Sequence, residues 1–385
     1  MILLHGTGVH NKGAELMAIA VLEHFRSKPN PPEFAVPPHF GPYSERAKYA
    51  LWTLLSERRL GRAKLAAALA HSSFRRKYGL ASESDITAVL DASGFAFGDQ
   101  HGPKPTKDMA DACRRWKRQG KKVILLPQAF GPFSSDSIRR ACRQLVDYSD
   151  LVFARDTQSL EYLVAVVGQR DNIHLAPDFT NLVRPVLPRD AGLENAVLVV
   201  PNNRMIDKTE PEQSARYIPF LVECLRMLQR RGEKIAILAH CPEDLRLANA
   251  VVPQLPQGIP VVTSSSPLIL KGYLAQARLV VGSRFHALVG ALSEGVPVVA
   301  VGWSHKYDLL LEDYGCPEMV FRIGRPLEEF AEMVEQALSA ETRPGLVARI
   351  RAAADHQRQL VHKMWQKVDT TLGFPAEDVR PLPSL

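Results

Sequence analysis

Residues 279–306 read LVVGSRFHALVGALSEGVPVVAVGWSHK. The order is apolar strand, Ser-Arg-Phe-His loop, helix, Gly-Val-Pro break, second apolar strand, then Trp-Ser-His-Lys. Arg284, His286, His305 and Lys306 fall at or near the C-terminal ends of those strands. In an open α/β sheet that is the edge where ligands bind. Four potential cations at one edge point to a small, highly charged anion.

The same alternation runs outward in both directions. Upstream, a strand at 1–5, a Gly-rich turn at 6–13 and a helix at 14–25 form the first unit. Its glycine spacing does not fit G-x-G-x-x-G, which argues against a nicotinamide cofactor. Further strands are expected near 86–90, 123–126, 151–154 and 173–175, with helices between them. Residues 180–194 contain Pro185, Pro188 and Gly192 without apolar periodicity and read as an interdomain linker. A second series follows, with strands at 196–200, 234–239 and 259–263 ahead of the 279–306 stretch. The tail, 330–371, reads as mostly helical, its last part packing back on the first domain. Short strands alternating with helices give parallel sheets. The fold class is therefore α/β, with two Rossmann-like domains whose parallel sheets face a cleft, a GT-B-like arrangement. The expected domains are 1–185, on the acceptor side, and 195–372, on the donor side.

Composition fits this reading. The 385 residues are 46% hydrophobic and 23% charged, enough apolar material for two cores. The net charge of +7 favours anionic ligands or an anionic membrane face. Nucleic acid is not expected, because the basic residues form no stripe interleaved with aromatics. Helical stretches at 44–57 and 60–78 carry Arg58, Arg59, Arg62, Lys64, Arg75, Arg76 and Lys77. They read as a solvated face or, more sharply, as a patch for peripheral contact with an anionic membrane. The five cysteines form no C-x-x-C pair, which suits thiols in a reducing compartment. Met1 leads straight into an apolar strand, and the most apolar window contains Arg284, His286 and Glu294. Both observations favour a cytoplasmic protein.

Seven motifs then occur in a particular order: HNKGAELM, SGFAFGDQHG, LLPQAFGPF, VFARDTQSLEYL, PDFTNLV, VPNNRM, and GSRFHALVGALSEGVPVVAVGWSHKYDLLLEDYG. Together they resemble the polysaccharide pyruvyltransferase family, over residues 6–315. The resemblance implies transfer of the enolpyruvyl skeleton of phosphoenolpyruvate onto sugar hydroxyls of a surface-polysaccharide precursor, as a ketal, with loss of phosphate. It also implies a GT-B-like fold without a nucleotide-sugar donor. Arg284 and His286 are similar to the family's donor-binding positions, and Arg155 is expected to complete the clamp. Many members have Asn-x-Gly-Asp at the first loop, whereas here Gly13 is followed by Ala14 and Glu15.

The chemistry explains these residue types. Phosphoenolpyruvate carries a phosphate and a carboxylate, and guanidinium forks suit both, whereas lysine acts as a point charge. Arg284, His286, Lys306, Arg155 and Arg204 are the candidate donor-binding residues. Protonating the methylene carbon needs an acid of pKa near working pH, so His286 is either that acid or the group that stabilises departing phosphate. Asp99, Asp178 and Glu15 are candidates for deprotonating the acceptor. Asn11, Gly13, Glu15 and Gln128 are expected at a saccharide or lipid-linked oligosaccharide acceptor. His240 and His305 read as structural. No His, Cys or carboxylate cluster has metal-ligand spacing, so neither metal nor cofactor is expected. Two other readings share the architecture: a GT-B glycosyltransferase using a nucleotide sugar, and a non-catalytic sugar-binding member of a polysaccharide assembly complex.

Overall fold

Runs such as Val197–Val200 (VLVV), Leu279–Gly282 (LVVG) and Val298–Val301 (VVAV) are short, rich in β-branched residues and buried along their whole length. Strands buried on both faces pair in parallel and need helices to cover the sheet. Burying each Val or Leu side chain contributes about 1.5–3 kcal/mol. The computed structural model describes residues 1–55, 72–188, 192–302 and 304–375.

The first sheet has eight strands, all parallel: β1 (Ile2–His5), β2 (Phe34–Val36), β3 (Trp52–Leu54), β4 (Leu80–Ala81), β5 (Ala88–Asp91), β6 (Lys122–Gln128), β7 (Leu151–Ala154) and β8 (Ile173–Leu175). Their spatial order is β4-β3-β2-β1-β5-β6-β7-β8. The second sheet has six: β9 (Val197–Val200), β10 (Ile235–Ala239), β11 (Val261–Thr263), β12 (Leu279–Gly282), β13 (Val298–Val301) and β14 (Val320–Phe321). Its order is β11-β10-β9-β12-β13-β14, again parallel throughout. Successive strands therefore leave in opposite directions from β1/β5 in the first sheet and from β9/β12 in the second. Such switch points open a crevice at the carboxyl ends of the strands.

Chain contacts divide the protein into two units. One comprises Met1–His10, Met17–Phe179 and Leu360–Leu385; the other comprises Asn11–Leu16 and Thr180–Gln359. The division differs from the contiguous domains 1–185 and 195–372, because two helices are shared. The first turn of the Lys12–Arg26 helix belongs with the second unit, and the end of the Arg343–Leu372 helix with the first. Apolar periodicity marks a helix without marking which core each turn joins.

One stretch expected to be helical is not. The helix that begins at Tyr43 stops at Lys48, Ala50 adopts a left-handed φ of 53°, and Trp52–Leu54 pairs with β2 as β3. The β-forming Trp-Thr-Leu triplet gains a ladder that a solvated helix would not supply. Arg58, Arg59, Arg62 and Lys64 lie outside the described residues.

Candidate functional site

In the second unit the β9/β12 switch point is built around Ser283. Its carbonyl accepts from Asn202 Nδ2 at 2.7 Å and from the Tyr307 hydroxyl at 2.7 Å. Its hydroxyl lies 3.2 Å from the Tyr217 phenol, which also accepts from the Asn202 backbone N–H at 2.9 Å. Tyr217 is fully buried, and burial pushes its phenol up, so it remains a neutral hydrogen-bonding post. These bonds fix the loop that presents Arg284 and opens the Phe285–Leu292 helix.

Arg284 is gripped from behind. Its Nε donates to Asp244 Oδ2 at 2.8 Å and its Nη2 to Asp244 Oδ1 at 2.5 Å. Asp244 is fully buried on the Pro242–Val251 helix and also accepts from the Asn203 backbone N–H at 3.2 Å. Burial alone would lower the pKa of Arg284, but Asp244 more than offsets it and the net shift is upward. Cys241 Sγ lies 2.8 Å from Nη2, and burial pushes its thiol up to about 11. Nη1 makes no hydrogen bond among the described residues.

His286 stands one position into the same helix, against the first turn of the Lys12–Arg26 helix. A Cβ on Gly13 would lie 2.3 Å from His286 Nδ1, so any side chain there would displace the imidazole. The Gly13 N–H donates to Asn11 Oδ1 at 2.9 Å. Lys12 Nζ donates to Glu15 Oε2 at 2.6 Å and to the Ser265 carbonyl at 2.7 Å, and Glu15 is fully buried. Lys12, His286, His240 and Lys271 line one small pocket with Leu16, Leu270 and Leu274. Lys271 is engaged within its own unit, 3.1 Å from Glu294 and 2.5 Å from the Val183 carbonyl.

The other expected donor residues are placed differently. Lys306 Nζ lies 5.9 Å from the Phe285 ring and 5.2 Å from the Tyr307 ring. Arg204 is 57% exposed and ion-paired with Asp207 at 2.8 Å on its own short helix. Arg155 belongs to the first unit, where it is buried 3.6 Å from Asp178.

In the first unit the β1/β5 switch point holds a second constellation. His5 and Asp91 are register partners at the ends of β1 and β5. Asp91 is fully buried; His5 Nδ1 lies 2.7 Å from its Oδ1, Ser93 Oγ donates to Oδ1 at 2.8 Å, and Gln128 Nε2 donates to Oδ2 at 3.1 Å. Gly6 has a φ of 77°, and a Cβ there would lie 2.2 Å from Ser93 Oγ, so the turn and the cluster fit only without a side chain. The His5 side chain remains 31% exposed. Asp99, by contrast, accepts from the Ser134 backbone N–H at 2.9 Å and from its hydroxyl at 2.5 Å.

A family model for polysaccharide pyruvyl transferase matches residues 11–305. The chain belongs to that family. Among solved structures, this polysaccharide pyruvyl transferase family member is similar to a putative UDP-N-acetylglucosamine 2-epimerase from Listeria monocytogenes, with a TM-score of 0.61 and 13% identity over 98% of each chain. S. aureus MnaA, solved with UDP, gives 0.60 and 10% identity over 99% of each chain. Anabaena HepE, in complex with UDP-glucose, gives 0.59 and 14% over 97% of this chain and 99% of that one. At these identities the likeness shows the fold, which is GT-B-like.

Sequence reasoning assigned no role to Lys12, Asp244, His5 or Asp91 in this family member. Asp244 follows β10 by a few residues, at a sheet edge already expected to bind ligand, and that position was the available signal. Lys12 carried none, because its loop reads as part of the first domain.

Proposed function

We propose that the protein transfers the pyruvate skeleton of phosphoenolpyruvate to a saccharide as a ketal, releasing phosphate. The observation that carries this reading is Arg284, locked by buried Asp244 with its Nη1 edge turned to no protein partner among the described residues. A guanidinium held in this way is preorganised for a phosphate or carboxylate, so less entropy is lost on binding. His286 and Lys12 line the neighbouring pocket.

In the proposed reaction His286 protonates the methylene carbon. One acceptor hydroxyl adds to the adjacent carbon, phosphate leaves, and a second hydroxyl closes the ring. Of the two hydroxyl protons, one is balanced by the new methyl group and the other leaves with phosphate. Within the first unit, the surroundings of His5 suit a general base better than those of Asp99 or Asp178. Asp91 fixes Nδ1 and leaves Nε2 as the base, whereas Asp99 is occupied by Ser134 and Asp178 is buried against Arg155. Neither a metal nor an organic cofactor is invoked.

Incubation with phosphoenolpyruvate and a panel of saccharide acceptors should release phosphate and add the mass of a pyruvate ketal to one of them. Phosphoenolpyruvate should also raise the melting temperature. Failure of both would sink the proposal. The second reading, a nucleotide-sugar transferase, draws support from HepE and MnaA having been solved with UDP-glucose or UDP; stabilisation by UDP but not by phosphoenolpyruvate would favour it.

The reading includes a cytoplasmic location with peripheral contact at an anionic membrane. No described helix is long and apolar enough to cross one. Phe74 and Tyr78 are 49% and 45% exposed with ring centroids 4.5 Å apart, beside exposed Arg76 and Lys77. An apolar pair flanked by cations suits a lipid interface. Phe74→Ser/Tyr78→Ser should weaken co-sedimentation with phosphatidylserine vesicles; unchanged binding would count against this contact.

A further inference from the structure

We infer that His240 is a donor-binding residue, whose Nε2 gives a neutral hydrogen bond to an anionic oxygen of the ligand held by Arg284 and His286. The inference rests on the proposed donor chemistry and goes beyond it, since His240 follows β10 and reads from sequence as structural.

Three observations carry it. His240 is only 9% exposed and lines the same pocket as His286 and Lys12. Its Nε2 is buried and has no hydrogen-bond partner among the described residues. Polar atoms left so are rare, because each forfeits its bonds to water. Finally, burial pushes the imidazole down to about 3, with the charges of Arg284 and His286 acting in the same sense.

A ring that stays neutral at working pH adds no charge to a pocket already lined by Lys12 and Lys271. It can still offer one N–H. A fully ionised phosphate or carboxylate only accepts, so the tautomer with hydrogen on Nε2 is the one that matches it. An anionic oxygen of the ligand would give Nε2 a partner that no described residue supplies. A histidine kept for packing alone has no reason to bury a polar atom without a partner.

The test uses three variants of the full chain, which differ in where a polar N–H sits. His240→Gln places an amide near Nε2, His240→Asn places one near Nδ1, and His240→Phe keeps the ring without any. Hydrogen bonds to charged groups contribute about 1.5–3 kcal/mol, so Phe and Asn should raise the Kd or KM for phosphoenolpyruvate by about 10- to 150-fold. Gln should stay within a few-fold of wild type, and the acceptor KM should not move. Removing a buried unpaired nitrogen should leave the melting temperature of ligand-free His240→Phe unchanged or higher. A His240→Phe protein that melts lower but binds phosphoenolpyruvate like wild type overturns the inference, as do Gln and Asn variants that behave alike. Inorganic phosphate and UDP serve as further probes by calorimetry. Wild type that binds UDP but not phosphoenolpyruvate rejects the donor reading, yet a loss of UDP affinity confined to Phe and Asn still upholds the role of His240. Wild type that binds none of the three anions rejects both.

Discussion

Asp244 holds Arg284 through two bonds, 2.8 Å to Nε and 2.5 Å to Nη2, from a position with no exposure to solvent. The carboxylate fixes the plane of the fork and neutralises part of its charge. Asp244→Asn keeps the shape but loses the ion pair, and leaves a largely buried guanidinium poorly matched. Breaking a buried pair from one side costs about 3–5 kcal/mol. The variant should melt lower, and its KM for phosphoenolpyruvate should rise tenfold or more. An unchanged KM would show that Arg284 needs no support from behind. Arg284→Lys should also lose donor affinity, since an ammonium cannot bond Asp244 and a ligand with one rigid fork.

Gly13→Ala separates stability from activity. Alanine is favoured over glycine inside a helix by about 0.5–1 kcal/mol, so the Lys12–Arg26 helix itself should gain. The added methyl would stand 2.3 Å from His286 Nδ1, so the imidazole must move. A displacement of about 1 Å in a reacting group can cost 100-fold in rate. The expected result is a stable protein with turnover reduced by about that factor. Full turnover in a well-folded Gly13→Ala protein would remove His286 from the reaction.

Asp91→Asn addresses the first unit. An amide in place of the carboxylate puts a donor against Ser93 or Gln128, which now donate to Asp91 at 2.8 and 3.1 Å. It also ceases to dictate the tautomer of His5. Loss of a positioned general base costs about 100- to 10,000-fold. The variant should therefore bind phosphoenolpyruvate normally and turn over slowly, and His5→Asn should match it. Normal turnover in His5→Asn would return the role of base to another group.

Much of this was legible in the residues. The strands at 151–154 and 173–175 fall where short apolar runs between helices put them, the first buried along its whole length and the second through Ile173. The sheet edge carrying Arg284 and His286 follows from strand direction alone. What stayed hidden depends on partners distant in sequence. Asp244 lies 40 positions before Arg284, and Asp91 lies 86 after His5, so no local pattern links either pair. The strands β2, β3 and β4 have only two or three residues each, too few for a period to show.

A last prediction concerns pH and rests on Asp369. Its carboxylate lies 2.7 Å from Lys28 Nζ and 2.9 Å from His24 Nε2, joining the Arg343–Leu372 helix to the Lys12–Arg26 helix within the first unit. Burial raises its pKa, but the bonds from His24 and Lys28 outweigh that, and the net shift is below the ordinary 3.8. A carboxyl whose folded pKa is depressed binds fewer protons than in the unfolded chain. Its contribution to stability is therefore present above pH 3.8 and is lost as pH falls through the lower, folded value. Asp369→Asn leaves Lys28, whose side chain is 2% exposed, without its carboxylate, at a cost of about 3–5 kcal/mol. Thermal melts of both proteins from pH 7 to pH 3 should show a wide gap down to about pH 5 that narrows below pH 4. A gap that stays constant to pH 3 would mean the ion pair is not what Asp369 contributes.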